Sequence, residues 1–97
     1  MRQVTQQSIN AFNSGVEGTF GGNTRVEVQD NGAIHLLLFN NLIAVKNNGK
    51  VRITNAEWKS KTTKERLNGL EGVAIQQKKG EWILNGERWE GNWIYIK

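Results

Sequence analysis

Glycine and asparagine punctuate this chain at short intervals and proline is absent, so tight turns set what it can fold into. "DNG" at 30–32, "NNG" at 47–49, "KKG" at 78–80, "LNGE" at 84–87 and "EGN" at 90–92 each put Asn or Gly where a turn needs positive φ. Five such signals imply several antiparallel hairpins. Residues 24–29 (TRVEVQ) alternate, with Val26 and Val28 on one face and Arg25, Glu27 and Gln29 on the other, as in a strand with one wet side. Residues 33–39 (AIHLLLF) and 42–46 (LIAVK) are apolar on both faces, so they are expected to be central and covered on two sides. Residues 51–54, 73–77, 81–85 and 93–97 complete about seven short strands.

Two segments carry helical signals. In "VTQQSINAFNSG" Val4, Ile9, Ala11 and Phe12 form an apolar side and Gly15 supplies a stop. In "TTKERLNGLEG" (62–72), Thr62 and Glu65 have capping-box spacing, Leu67 and Leu70 form an apolar edge, and Asn68-Gly69 ends the helix. The expected fold class is therefore α+β: mainly antiparallel strands in hairpin meanders, with an N-terminal helix and one helix between two strand groups. Ninety-seven residues suit a single domain, 1–97, with one compact core.

The inventory for catalysis is thin. There is no cysteine, hence no disulfide, thiolate metal site or cysteine nucleophile. His35, the one histidine, lies inside the most apolar strand and reads as a core or interface residue rather than a general base. The nine carboxylates are scattered, without acid–base pairing or metal-ligand spacing. "GTFGGN" (18–23) follows a helix and precedes a strand, the reverse of a phosphate-cradling loop, and reads as a flexible connection. No metal, no cofactor and no enzymatic activity are expected. The N-terminus lacks a signal-peptide apolar run and no window approaches the roughly 20 apolar residues of a membrane span, so a protein free of the membrane is expected.

Charge is unevenly placed. Residues 46–97 hold eleven basic and six acidic groups, against two and three in residues 1–45. A basic half points to a polyanion or an acidic protein surface. Lys59, Lys61, Lys64 and Arg66 crowd the start of the second helix, and Lys78-Lys79 occupy a turn that would lie near it. Such a patch could neutralise phosphates, with tryptophans stacking on unpaired bases. Interleaved Glu57, Glu65, Glu71 and Glu81 fit a solvated helix face equally well.

Four tryptophans remain. Trp82 shares a strand face with Leu84, and Trp93 shares one with Tyr95, so both read as core; Trp58 is expected to join them. Trp89, between two turn signals and flanked by Arg88 and Glu90, is expected at the rim, where with Arg88 it would meet a partner.

The stretches "NTRVEV", "NLIAVKNNGKVRITNAEW", "TTKERLNGL" and "GVAIQQKKGEWILNGERWEGNW", in this order, resemble a group of small proteins of tailed bacteriophages. The resemblance covers about residues 22–95 and is carried best by "TTKERLNGL" and by the W-x-L-N-G-x-x-W-x-G-x-W pattern of Trp82, Leu84, Asn85, Gly86, Trp89, Gly91 and Trp93. It implies a small accessory protein acting in the host bacterial cytoplasm; with the missing catalytic residues and the charge asymmetry, the expected function is non-enzymatic, binding and inhibiting a host bacterial protein of anti-phage immunity through the basic helix entry and the Trp89 turn. A nucleic-acid-binding module using Lys59, Lys61, Lys64, Arg66, Lys78 and Lys79, and a sponge for a signalling nucleotide, are the alternative readings. The doubly apolar strands also suggest a homo-oligomer, whose isologous interface would cover a second sheet face.

Overall fold

The computed structural model of the chain describes residues 3–57 and 60–96. Its elements run α1 (Gln3–Ser14), β1 (Gly18–Phe20), β2 (Thr24–Val28), β3 (Ile34–Leu38), β4 (Asn41–Asn47), β5 (Lys50–Ile53), α2 (Lys61–Asn68), β6 (Ile75–Lys78), β7 (Glu81–Leu84), β8 (Glu87–Arg88) and β9 (Ile94–Ile96). The expected α+β class is what forms. A six-stranded antiparallel sheet has the order β1-β2-β3-β4-β5-β9, and a small second sheet has the order β6-β7-β8. Two strands beyond the expected seven appear. Gly18–Phe20 of the supposed flexible connection pairs with β2, and Glu87–Arg88 pairs with β7.

Tight turns drive the meander. Asn48-Gly49, Lys79-Gly80 and Asn85-Gly86 each place two consecutive residues at positive φ, whose twist matches that of the flanking strands. Phe39-Asn40 (φ 50° and 65°) makes the same turn between β3 and β4 without a glycine to announce it. "EGN" is different: it turns no hairpin. The Gly91 carbonyl accepts from the backbone N–H of Asn55 at 3.0 Å and from the Thr54 hydroxyl, docking the returning chain beside β5 so that β9 pairs there. A Cβ on Gly91 would collide with the Asn55 side-chain amide.

The core lies on one face of the large sheet. Val26, Leu36, Leu38, Ala44 and Ile53 point to it, and Ile9 and Phe12 of α1, Leu67 of α2, and Trp82, Leu84 and Trp89 of the small sheet pack there. α1 behaves as its pattern says, with Thr5, Ser8, Ile9, Ala11 and Phe12 buried and Gly15 at φ 70° beyond its end. α2 is capped by Ser60, whose hydroxyl accepts from the Thr63 N–H, rather than by the Thr62–Glu65 box. Gly69 ends it at φ −73°, so positive φ is not its purpose; a Cβ there would lie 2.8 Å from Ile9 and 2.9 Å from Thr5, which makes it the close-approach point of the two helices.

Two "LNG" asparagines then fix the small sheet. Asn68 donates from Nδ2 to the Ile75 carbonyl at 3.1 Å and accepts the Ile75 N–H at 2.6 Å. Asn85 accepts the Ala74 N–H at 2.8 Å and donates to the Gly72 carbonyl at 2.9 Å. One amide at the end of α2 and another in the β7–β8 turn thus clamp the same connecting segment.

Candidate functional site

The predicted basic patch comes together only in part. Lys61 is exposed, and Lys64, half-buried, reaches Gln77 of β6 with Nζ to Oε1 at 3.5 Å, so α2 and the strand leading to Lys78 and Lys79 are indeed neighbours. Lys59 and Trp58 lie outside the described residues. Arg66 does not belong to the surface at all: it is 1% exposed. Thr63, Arg66, Leu67 and Leu70 recur at i, i+3, i+4 and i+7, one stripe of the helix, and that stripe faces the core. There Arg66 Nε donates to Thr24 Oγ1 at 2.9 Å, and Nη1 donates to Thr5 Oγ1 at 2.6 Å and Glu65 Oε1 at 2.8 Å. The guanidinium ties α1, β2 and α2 together as a buried, partnered charge. The stripe's spacing was the signal that placed it inside, overridden by its charge.

The sheet end of the patch is also compensated. Lys78 stands opposite Glu81 across the β6–β7 ladder, and Arg88 Nη2 lies 3.6 Å from Glu81 and 3.8 Å from Glu90. These are exposed pairs, each worth at most about 1 kcal/mol, but they lower the local potential a polyanion would meet.

The tryptophans exchange roles. Trp89, expected at the rim, is 5% exposed; its ring lies 6.0 Å from that of Trp82 at 41°, and its Nε1–H donates to the Asn92 carbonyl at 2.9 Å. The reason is local: the backbone N–H of Trp89 donates to the Trp82 carbonyl, which extends the β7–β8 pairing and turns the second ring onto the first. Trp93, expected in the core, precedes β9 and is 40% exposed.

That reversal directs attention to the outer face of the large sheet, opposite the core. The registers put Glu27, His35, Val45, Arg52 and Tyr95 in one row across five strands, with Arg25, Leu37 and Leu42 in the next. Both helices and the buried residues of the small sheet gather on the other side. The expected cover on both faces of residues 33–39 and 42–46 is met on one side only: within the described residues one face is core, while on the other His35, Leu37 and Leu42 stay half-buried and Val45 is buried. At the edge of this face the Arg52 guanidinium carbon sits 4.7 Å from the Trp93 ring centroid, a cation–π contact, while Tyr95 stands directly across from Arg52 and is 63% exposed. Arg25, further along, lies 2.8 Å from Glu27 without hydrogen-bond alignment of Nε and donates from Nη1 to Asn40 at 3.0 Å. The arrangement offers one partly desolvated cation, Arg52, over one exposed ring and across the strand pair from a second. Sequence reasoning missed it because Arg52 and Trp93 are distant in the chain and meet only through the β5–β9 pairing.

Among the described residues no group of three His, Cys, Asp or Glu gathers as metal ligands would, and no helix is long and apolar enough to cross a membrane. No curated protein and no solved structure matches the chain. The family model described as Kyanoviridae Gp96 protein matches residues 1–95, nearly the full length, and the chain therefore belongs to this family of phage proteins.

Proposed function

We propose that this phage protein acts by binding rather than catalysis, occupying a host bacterial protein of anti-phage immunity in the host cytoplasm through the outer face of its large sheet. The observation that carries this reading is the Arg52 guanidinium over the exposed Trp93 ring, with exposed Tyr95 as its cross-strand neighbour. Trp, Tyr and Arg dominate the energetics of protein interfaces, and half-buried Leu37, Leu42 and His35 continue the patch inward as an interface core does. This replaces the patch read around Trp89 and Arg66, whose side chains are buried.

Affinity purification from infected bacteria tests it. The wild-type protein is expected to retain a host protein that a Trp93→Ala/Tyr95→Ala variant retains about ten-fold less, a loss typical of a hot spot. Equal retention by a folded double variant, or no effect of the protein on phage growth or on any defence system, overturns the reading.

A homo-oligomer is the second reading, favoured by one observation: β9 ends the large sheet and carries exposed Ile94 and Tyr95. Unprotected apolar edges pair readily with another strand. Light scattering across a dilution series decides it; a monomer at all concentrations removes it.

A further inference from the structure

Beside the Arg52 cluster the outer face sinks into a depression of about 370 Å³ lined by Val45, Asn47, Asn48, Lys50, Arg52 and Tyr95. Its wall holds two cations and no carboxylate. By contrast, the larger depression on the far side of Trp93 includes Glu57 and Glu90, and the one beside Lys46 includes Glu71. Among the described residues neither Lys50 nor Arg52 has an ion-pair partner, unlike Arg25, Arg66 and Arg88. Tyr95 and Lys50 also border a second, more apolar hollow with Ile96.

We propose that this depression is a nucleotide site, in which Lys50 and Arg52 hold the phosphate and the base stacks on Tyr95. The size is at the lower end of small-molecule pockets, roughly 300–1,000 Å³, and suits a single nucleotide unit. Arg presents a planar donor fork to phosphate oxygens and Lys adds a point charge. A tyrosine face stacks on any base, worth about 1–3 kcal/mol for single-stranded nucleic acid. Asn47 and Asn48, held in the tight β4–β5 turn, carry side-chain amides that can both donate and accept, as a base edge or ribose requires. The turn is pinned because Asn48 and Gly49 sit at φ 54° and 77° between paired strands, so the two amides and Lys50 are presented from a fixed backbone. The shared chemistry is a base carrying a phosphate, whether a free mononucleotide or the phosphorylated end of a single strand. The proposal goes beyond protein capture, and its failure leaves that reading intact.

Titration calorimetry at low salt with adenosine monophosphate, adenosine, and a short oligothymidylate with and without a 5′-phosphate tests it. The monophosphate is expected to bind and adenosine to bind about a hundred-fold more weakly, because the charge-assisted contacts of both Lys50 and Arg52 are lost. Lys50→Gln, at an exposed position that leaves the fold intact, and Arg52→Gln are each expected to weaken phosphate-bearing probes about ten-fold, whereas Lys61→Gln changes nothing. Tyr95→Leu should weaken every probe that binds. Tighter binding of the phosphorylated oligonucleotide assigns the site to strand ends; equal or tighter binding of the monophosphate assigns it to free nucleotide. No binding of either phosphorylated probe up to about 1 mM, or binding indifferent to Lys50→Gln and Arg52→Gln, overturns the proposal.

Discussion

Trp82 and Trp89 pack ring against ring, 6.0 Å between centroids, and Trp93, four residues further on, lies on the opposite side of the large sheet against Arg52. The C-terminal aromatics therefore divide by layer: two seal the small sheet onto the core and one dresses the outer face.

Truncation should expose this division. Trp82→Ala and Trp89→Ala each remove a nearly fully buried ring and are expected to cost about 3–5 kcal/mol. Trp93→Ala, at a 40% exposed position, should cost about 1 kcal/mol or less. Urea unfolding of the three variants measures the contrast; a Trp93→Ala loss as large as the other two would place that ring in the core after all.

Arg66 is expected to be structural. Thr5→Val removes the hydroxyl that accepts from Arg66 and donates to Glu65 at 2.8 Å, leaving a buried cation short of a partner, at a cost of about 3 kcal/mol. Replacing Arg66 itself by Met removes the charge along with its need for partners and should be milder than Thr5→Val. The order of the two midpoints in urea checks this; the reverse order would show that Thr5 is not the partner that matters.

Two glycines separate steric from conformational demands. Gly91→Ala would drive a methyl group into Asn55 at a site already at φ 94°, and should prevent folding or cost more than about 3 kcal/mol. Gly32→Ala, at φ 88° but with open space around it, should cost about 1 kcal/mol from the backbone alone. Thermal unfolding of both variants distinguishes them.

The clamp on residues 72–75 can be opened from either end. Asn68→Ala leaves the Ile75 N–H and carbonyl without their partners and is expected to cost about 1–3 kcal/mol. Amide exchange should then rise first in β6 and β7, because these strands hang on that segment, while β2 to β4 keep their protection. Uniform loss of protection would contradict a local clamp.

Much of the scaffold was legible in the sequence because its signals are local. Asn48-Gly49 and Asn85-Gly86 specify hairpin turns through their own backbone preferences, and the alternation of Val26 with Arg25 and Glu27 reports a strand with two different faces. The Phe39-Asn40 turn was silent because Phe has no preference for positive φ; the pairing of Leu38 with Asn41 imposes it. The candidate site was barely legible. Arg66 was misplaced because charge was weighed above the i, i+3, i+4, i+7 stripe it shares with Thr63, Leu67 and Leu70.

By itself, then, the sequence determined the α+β class, the positions of both helices and the antiparallel hairpins, since turn chemistry and hydrophobic period act over a few residues. Only the tertiary structure decided which tryptophan is buried and which basic residues are free. The β7–β8 pairing turns Trp89 inward onto Trp82, and the return of β9 to pair with β5, where Gly91 docks on Asn55, is the long-range step that sets Trp93 and Tyr95 beside Arg52.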